Sequence, residues 1–219
     1  MRNYIKLGIP IRQAAKIVAG ADINGIDAAL QRQKREIEKK VDKNIAFLRA
    51  IARQRAWLAE ISELCEKITI EDRPPLYRLT CTNNRKALQS KDARKFIGEW
   101  TGLLPITMLS GLAKKEDIGP DNVVEPGLAI FAGEIGFLST VNSPYITYYH
   151  PRRCVKTIVR VSGHARDYYS MTVPSLKLME ANGLRVTGDI LSISIANKVV
   201  TRIAPEDPSD YVLAWIPID

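Results

Sequence analysis

From Ile26 to Lys67 the chain carries neither proline nor glycine, and charged residues alternate there with apolar ones at helical spacing. Ile37, Val41, Leu48, Ile51 and Leu58 recur at threes and fours, with Ile45, Ala52, Ala59 and Ile61 widening the stripe. That period predicts one long helix with a coiled-coil seam. About 40 residues at 1.5 Å rise would reach roughly 60 Å, far beyond a typical globular helix. Such a stripe needs a cover, and the sequence offers no second long helix to supply it. The pattern therefore predicts a homodimer formed through residues 26–67. Polar Asn44, Arg55 and Ser62 lie on or near the seam, where such residues fix register at some cost in stability.

A short amphipathic unit, Ile11 to Val18, precedes this helix, with Gly8-Ile9-Pro10 before it and Gly20-Ala21-Asp22 after it. Proline suits a first helical turn and glycine suits a helix end. Asp22 or Asn24 would then cap the long helix, with Asp27 favourable in its first turn.

After Lys67 the texture changes to proline, glycine and β-branched residues. Ile68 to Cys81 reads as a strand kinked at Pro74-Pro75, because proline is confined to strand edges and starts. Ser90 to Leu103 reads as a helix presenting Ala93, Phe96, Ile97 and Trp100 on one face. Pro105 to Lys114 and Gly127 to Phe137 read as strands, joined by the turn-rich Asp117 to Pro126. The order then repeats. Tyr145 to Ser162 is strand-like, Ala165 to Asn182 is helical and closes on Gly183, and Gly188 to Ala196 and Tyr211 to Ile218 are strands joined by a turn-rich connector over 204–209. The expected fold is α+β: an N-terminal helical hairpin, a long dimerisation helix, and a twice-repeated β-α-β-β antiparallel sheet with helices on one face and a site on the other.

Charge is divided unequally along this plan. Of the net +8, residues up to Lys67 contribute 14 basic against 8 acidic side chains, a net +6, and the rest contribute 18 against 16, a net +2. The positive field belongs to the helical third. Arg12 and Lys16 interrupt the only N-terminal apolar run that could resemble a signal peptide, and no window is long and uncharged enough for a membrane span. The expectation is a cytoplasmic protein without membrane attachment.

Signals for chemistry are sparse. Cys65, Cys81 and Cys154 are far apart and form no CxxC pair, so neither a disulfide framework nor a zinc site is expected. His150 and His164 lack any HxxxH or HExxH context. No P-loop, GxGxxG or GxSxG run occurs. No metal, cofactor or catalytic residue is expected. The tyrosines at 145, 148, 149, 168 and 169 either wall a ligand site or pack ordinary faces, with Tyr149 and Tyr168 the better pocket candidates. Arg152-Arg153 with Lys156 reads either as a docking surface or as a charged edge that guards a strand. Trp100 reads as core.

The opening Tyr4-Ile5-Lys6-Leu7-Gly8-Ile9-Pro10-Ile11, followed by a short helix and a long one, resembles the second half of a MerR-type regulator's DNA-binding domain and its dimerisation helix. The second part resembles the GyrI-like effector-binding domain of multidrug-sensing members of that family. The residues that carry this are Asp167-Tyr168-Tyr169 through Leu176, Leu178 and Asn182-Gly183-Leu184, then Thr187 to Ser192, then Asp210 to Ile218. The resemblance implies three regions: a remnant of the DNA-binding domain over 1–25, the dimerisation helix over 26–67 and the effector domain over 68–219. It implies a regulator that binds a small-molecule effector, with a stand-alone ligand-sequestering protein or a hydrolase as the alternative. It also places Arg2, Lys6, Arg12 and Lys16 near the DNA backbone, where they would add salt-dependent affinity.

Two departures accompany the resemblance. MerR-type proteins begin with a helix-turn-helix and wing that this sequence does not show, so base-specific contact with promoter DNA is expected only of a longer form. Drug-sensing relatives also place a buried glutamate on the strand that here runs from Gly188 to Ala196, and the matching position is Ser192. Alternation puts Ile190, Ser192 and Ser194 on one face, the expected pocket face, and Leu191, Ile193 and Ile195 beneath the helices. Tyr211 matches the family's ligand-contacting tyrosine, with Leu213 and Trp215 on its face. Such a pocket predicts a neutral, flat or amphipathic ligand. Glu134 either points into this pocket and replaces the missing charge, as the one candidate general base, or faces solvent.

Overall fold

The computed structural model describes residues 1–65, 67–83, 86–119, 124–162, 168–196 and 209–219. These residues group into two compact units, Met1–Arg49 and Ala50–Asp219, and the boundary falls inside one helix.

In the first unit α1 (Arg2–Lys6) and α2 (Ile11–Val18) precede α3, which begins at Ile23 and runs to Leu64. Gly8 turns the chain between α1 and α2 with φ +84°, a left-handed conformation that a side chain resists. Asp22 accepts the backbone N–H of Gly25 at 2.8 Å and so caps α3. Ile9, Ala14, Ile17 and Ala29 bury together, with Tyr4, Ala21 and Ile26 against them. Ile37, Val41, Ile45, Leu48, Ile51 and Leu58 of α3 are all exposed in the single chain, Leu48 at 67%.

The second unit holds the last turns of α3 and an eight-stranded sheet. Its strands are β1 (Thr69–Arg73), β2 (Leu76–Thr80), β5 (Met108–Ala113), β6 (Glu125–Phe131), β7 (Ile146–Tyr149), β8 (Arg152–Ser162), β9 (Ile190–Ala196) and β10 (Ser209–Pro217). They stand in the order β1-β8-β10-β9-β5-β6-β2-β7, antiparallel throughout. A short ribbon, β3 (Thr82–Asn83) and β4 (Lys86–Ala87), precedes α4 (Lys91–Thr101), and α5 (Tyr168–Ala181) follows β8. The chain is thus α+β, a long helix and then an antiparallel sheet. The repeat is visible in the topology: β2-α4-β5-β6 and β8-α5-β9-β10 use the same internal pairing, and β5 against β9 joins them.

One register closes this sheet. Thr69 to Arg73 oppose Lys156 to Arg152, and Leu76 to Leu79 oppose Tyr149 to Ile146. The same antiparallel register runs through both pairs and sets Pro74 opposite Pro151. Neither proline has an N–H to give, so the ladder breaks there. Pro75 O instead accepts from Ala132 N at 3.0 Å, and His150 O accepts Arg73 Nη2 at 2.7 Å. Tyr145 to Ser162 is therefore two strands, and Ile68 to Cys81 is likewise two segments of one bent ribbon. In a flat sheet β1 and β2 would stand about 29 Å apart at roughly 4.8 Å per strand. Arg73 and Leu76 are three Cα steps apart, about 11 Å at most. The sheet must curl until its two ends meet at this ribbon.

Each face has its own cover. Trp57 of α3 packs with Leu76, Met108, Leu112, Cys154, Ile158, Leu191, Ile193, Leu213 and Trp215. On the other face Met179 and Leu176 of α5 pack with Val155, Val159, Ile190, Ala214 and Ile216. Ser90 is the N-cap of α4, its Oγ accepting the Ala93 N–H at 3.1 Å, and the helix buries Ala93 and Trp100 fully. The expected strand over 127–137 stops at Phe131. Residues 132–137 form a 3-10 turn, because Gly133 and Gly136 break the alternation that a strand needs. His164, the first residues expected in α5 and the connector over 204–208 lie outside the described residues.

Candidate functional site

A cavity of about 380 Å³ opens where the last turns of α3 meet the sheet, lined by Arg53, Trp57, Glu71, Pro74, Pro75, Phe131, Gly133 and Trp215. Phe131 ends β6 and Trp215 sits on β10, the corresponding strand of the second repeat, so the two halves present one aromatic wall each. Trp57 lies across from them, 6.5 Å from the Phe131 ring centroid. The Pro74-Pro75 break supplies the rim, where an unbroken ladder would have left no recess.

The charged groups around this cavity form pairs, each leaving some polar atoms open: Arg53 Nη2 and Glu134 Oε2 are buried without a hydrogen-bond partner among the described residues. Arg53 stands over Phe131 at 4.7 Å and near Trp57 at 5.8 Å, a cation–π arrangement, and its Nη1 meets Glu134 Oε1 at 3.1 Å. Glu71 accepts the Trp215 indole N–H at 2.8 Å and pairs with Lys156 at 3.3 Å. Lys156 also reaches Glu60 of α3 at 2.8 Å. The Gln54 side-chain amide donates to Ile195 O. Arg53, Gln54, Trp57 and Glu60 thus tie α3 to the sheet along one side of the helix. A guest here meets aromatic planes and carboxylates already engaged by cations.

Several residues expected at the pocket lie elsewhere. In an antiparallel sheet, directly opposed residues share a face. Ser192 opposes Ala214 and Gly111, Ser194 opposes Val212, and Ile190 packs under α5 with Met179. Ser192 Oγ donates to Gly111 O at 3.4 Å, and Gly111 leaves it room, since a Cβ there would come within 2.7 Å of that oxygen. Ile190, Ser192 and Ser194 therefore do not share the face of Tyr211, Leu213 and Trp215; Leu191 and Ile193 do. The helices do not share one face as expected: the end of α3 covers the face of Leu191 and Ile193, and α5 covers the opposite one.

Of the last-strand trio, Trp215 lines the cavity, Leu213 is fully buried behind it and Tyr211 packs against the same cluster. Glu134 lies in the 3-10 turn, its side chain only 12% exposed, and faces Arg53 rather than solvent. Tyr149 lies on β7 beside Arg73 and lines a separate recess. Burial pushes its phenol pKa up, Arg78 and Arg73 pull it back, and Asp189 and Glu125 oppose them. Tyr168 opens α5, and its side chain lies outside the described residues. Arg2 and Lys6 on α1, and Arg12 and Lys16 on α2, are exposed and stand one helical turn apart in each pair.

Sequence reasoning missed Arg53, Trp57, Glu71 and Phe131. The signal for Trp57 was a second stripe on α3, Ala46, Ala50, Trp57, Ile61 and Leu64, running beside the heptad seam. Glu71 carried no signal, because nothing local says that a strand carboxylate will meet a distant indole.

No protein-family model matches the sequence, and no curated protein matches it. Among solved structures, the EcmrR–DNA complex seen by cryo-electron microscopy is 11% identical with a TM-score of 0.42, covering 100% of this chain and 80% of that one. A hydrolase encoded by lin2189 from Listeria innocua is 12% identical over 74% of this chain and 96% of its own, TM-score 0.42. SAV2435 bound to tetraphenylphosphonium is 11% identical over 70% of this chain and 94% of its own, TM-score 0.37. Likeness at this level carries no weight for function, which is read from the site itself.

Among the described residues, no helix is long and apolar enough to cross a membrane, and no cluster of His, Cys, Asp and Glu is placed to hold a metal ion.

Proposed function

We propose that this chain is the effector-binding and dimerising part of a MerR-type transcriptional regulator, with a GyrI-like sheet domain that senses a flat, neutral or amphipathic small molecule. The observation that carries this reading is the origin of the cavity wall. Arg53 and Trp57 come from α3, the same helix whose exposed heptad stripe calls for a second copy of the chain. A volume of about 380 Å³ falls within the roughly 300–1,000 Å³ of small-molecule sites, and its lining of two indoles, a phenyl ring and two prolines suits an aromatic guest. Ser192 no longer argues for a neutral ligand, since it faces away. The pairing of Glu71 with Lys156 and of Arg53 with Glu134 does: a charged guest must compete with an existing partner.

A ligand regulates only if it favours one arrangement of α3 on the sheet over another. Arg53, Gln54, Trp57 and Glu60 are the contacts that a guest would loosen or tighten. Promoter DNA is met through Arg2, Lys6, Arg12 and Lys16 in a form that also carries a groove-reading element. The hydrolase alternative is weakened because Arg53 already engages Glu134.

Tryptophan-emission titrations with an uncharged tricyclic aromatic and with a tetraphenyl cation of similar area test the ligand class. The uncharged compound is expected to bind more tightly. Tighter binding of the cation would overturn the neutral-ligand reading, and no saturable binding of either would remove the site.

A further inference from the structure

A second recess of about 250 Å³ lies where β1, β7 and β8 meet the end of β10 and the segment before β9, lined by Arg73, Tyr149, Arg152, Gly188, Asp189 and Pro217, and shares no lining residue with the aromatic cavity. Arg73 and Arg152 are direct cross-strand partners, an arrangement that sets two cations against each other. Arg73 is only 3% exposed and its guanidinium stands over the Tyr149 ring at 5.4 Å, yet its Nε has no protein hydrogen-bond partner among the described residues, while Nη2 donates to His150 O at 2.7 Å. Arg152 donates from Nη2 to Thr187 Oγ1 at 2.7 Å and to Thr187 O at 3.3 Å. Gly188 leaves space for it, since a Cβ there would stand 2.9 Å from Arg152 Nη1.

No carboxylate lies within 4.0 Å of either guanidinium among the described residues. Asp189 is the one carboxylate in the lining, its Oδ1 accepting the backbone N–H of Lys115 at 2.9 Å, so the lining sets two guanidinium groups against one carboxylate. Glu71, two residues from Arg73, is engaged by Trp215 and Lys156. Arg78 adds a further buried cation on the Tyr149 side, bound to Thr80 Oγ1 and Glu125 O. Burial lowers the Arg73 pKa, as does neighbouring Arg152, while Cys154 and Tyr149 act against them. A buried guanidinium with an open donor, facing a second guanidinium, is costly unless an anion joins them.

We propose that this recess is an oxyanion site, in which Arg73, Arg152 and the Tyr149 hydroxyl hold the phosphate or carboxylate end of a small molecule. Guanidinium forks suit both groups, and a tyrosine O–H adds a third donor direction.

Calorimetric titration of the full chain with inorganic phosphate, and separately with acetate, at fixed ionic strength tests the assignment. Saturable binding of at least one is expected, and whichever binds names the head group. Arg152 is exposed, so Arg152→Gln should fold, and it should weaken binding about tenfold or more. Gly188→Ala, which crowds Arg152 without removing charge, should weaken it too. Without anion, Arg152→Gln should raise the melting temperature by relieving repulsion from Arg73. Equal affinity in wild type and Arg152→Gln would show an adventitious ion only, and absence of saturable binding in the wild type would likewise overturn the proposal.

Discussion

Trp215 donates its indole N–H to Glu71 at 2.8 Å, linking β10 to β1 across the intervening β8 at the edge of the aromatic cavity. Glu71 also holds Lys156, so one carboxylate orients an aromatic wall and neutralises a cation. Glu71→Ala should cost about 1–3 kcal/mol, the usual range for leaving buried donors unpaired. Glu71→Gln keeps an acceptor for the indole and should cost less. Urea denaturation of both variants checks the order, and a larger loss in the glutamine variant would contradict it.

Arg53 and Glu134 form an enclosed ion pair, with side chains 20% and 12% exposed. Removing either partner strands the other, so Arg53→Met and Glu134→Gln should each destabilise by roughly 2–4 kcal/mol. The double variant should lose less than the sum. A double-mutant cycle reads this directly, and additive losses would mean that the pair does not act as one.

Ile37, Leu48 and Ile51 lie exposed along the heptad seam of α3. If a second copy covers them, Leu48→Lys and Ile37→Lys should turn a dimer into a monomer in sedimentation at micromolar concentration, while Arg32→Gln on the charged face should not. Unchanged mass in all three would reject the seam.

Burial raises the pKa of three acidic side chains. The Cys154 and Cys81 thiols and the Tyr149 phenol all have pKa values raised above their ordinary ranges, with desolvation the largest cause in each. The unfolded chain ionises first, so their contribution is complete below the ordinary thiol range and is lost as pH rises through the shifted values. The urea midpoint should hold from about pH 7 to about pH 8 and fall between about pH 9 and about pH 11. Cys154→Ala should shrink the fall, and an alkaline fall identical to wild type would exclude the thiol as a source.

The long helix, the succession of strands and helices along the chain and the internal repeat were legible because each has a local signature: an unbroken helical period, alternation, and turn residues at matching places. Pro74-Pro75 even marked the bend in the closing ribbon. Which face of β9 meets the cavity was not legible. Alternation separates Ser192 from Leu191 but does not say which set faces which helix, and that depends on Trp57 arriving from more than 100 residues earlier. Glu134 showed the same limit from the other side. Its strand reading failed at Gly133, yet its burial depended on Arg53, and no local pattern joins the two.

The most direct test of the central claim follows tryptophan emission while an uncharged planar aromatic is titrated into wild type, Trp57→Leu and Trp100→Phe. Trp57 and Trp215 line the cavity, whereas Trp100 is buried in α4. The proposed site predicts saturable quenching in wild type and in Trp100→Phe, with affinity at least about tenfold weaker in Trp57→Leu. Unchanged affinity in Trp57→Leu would place the ligand elsewhere and contradict a cavity walled by α3.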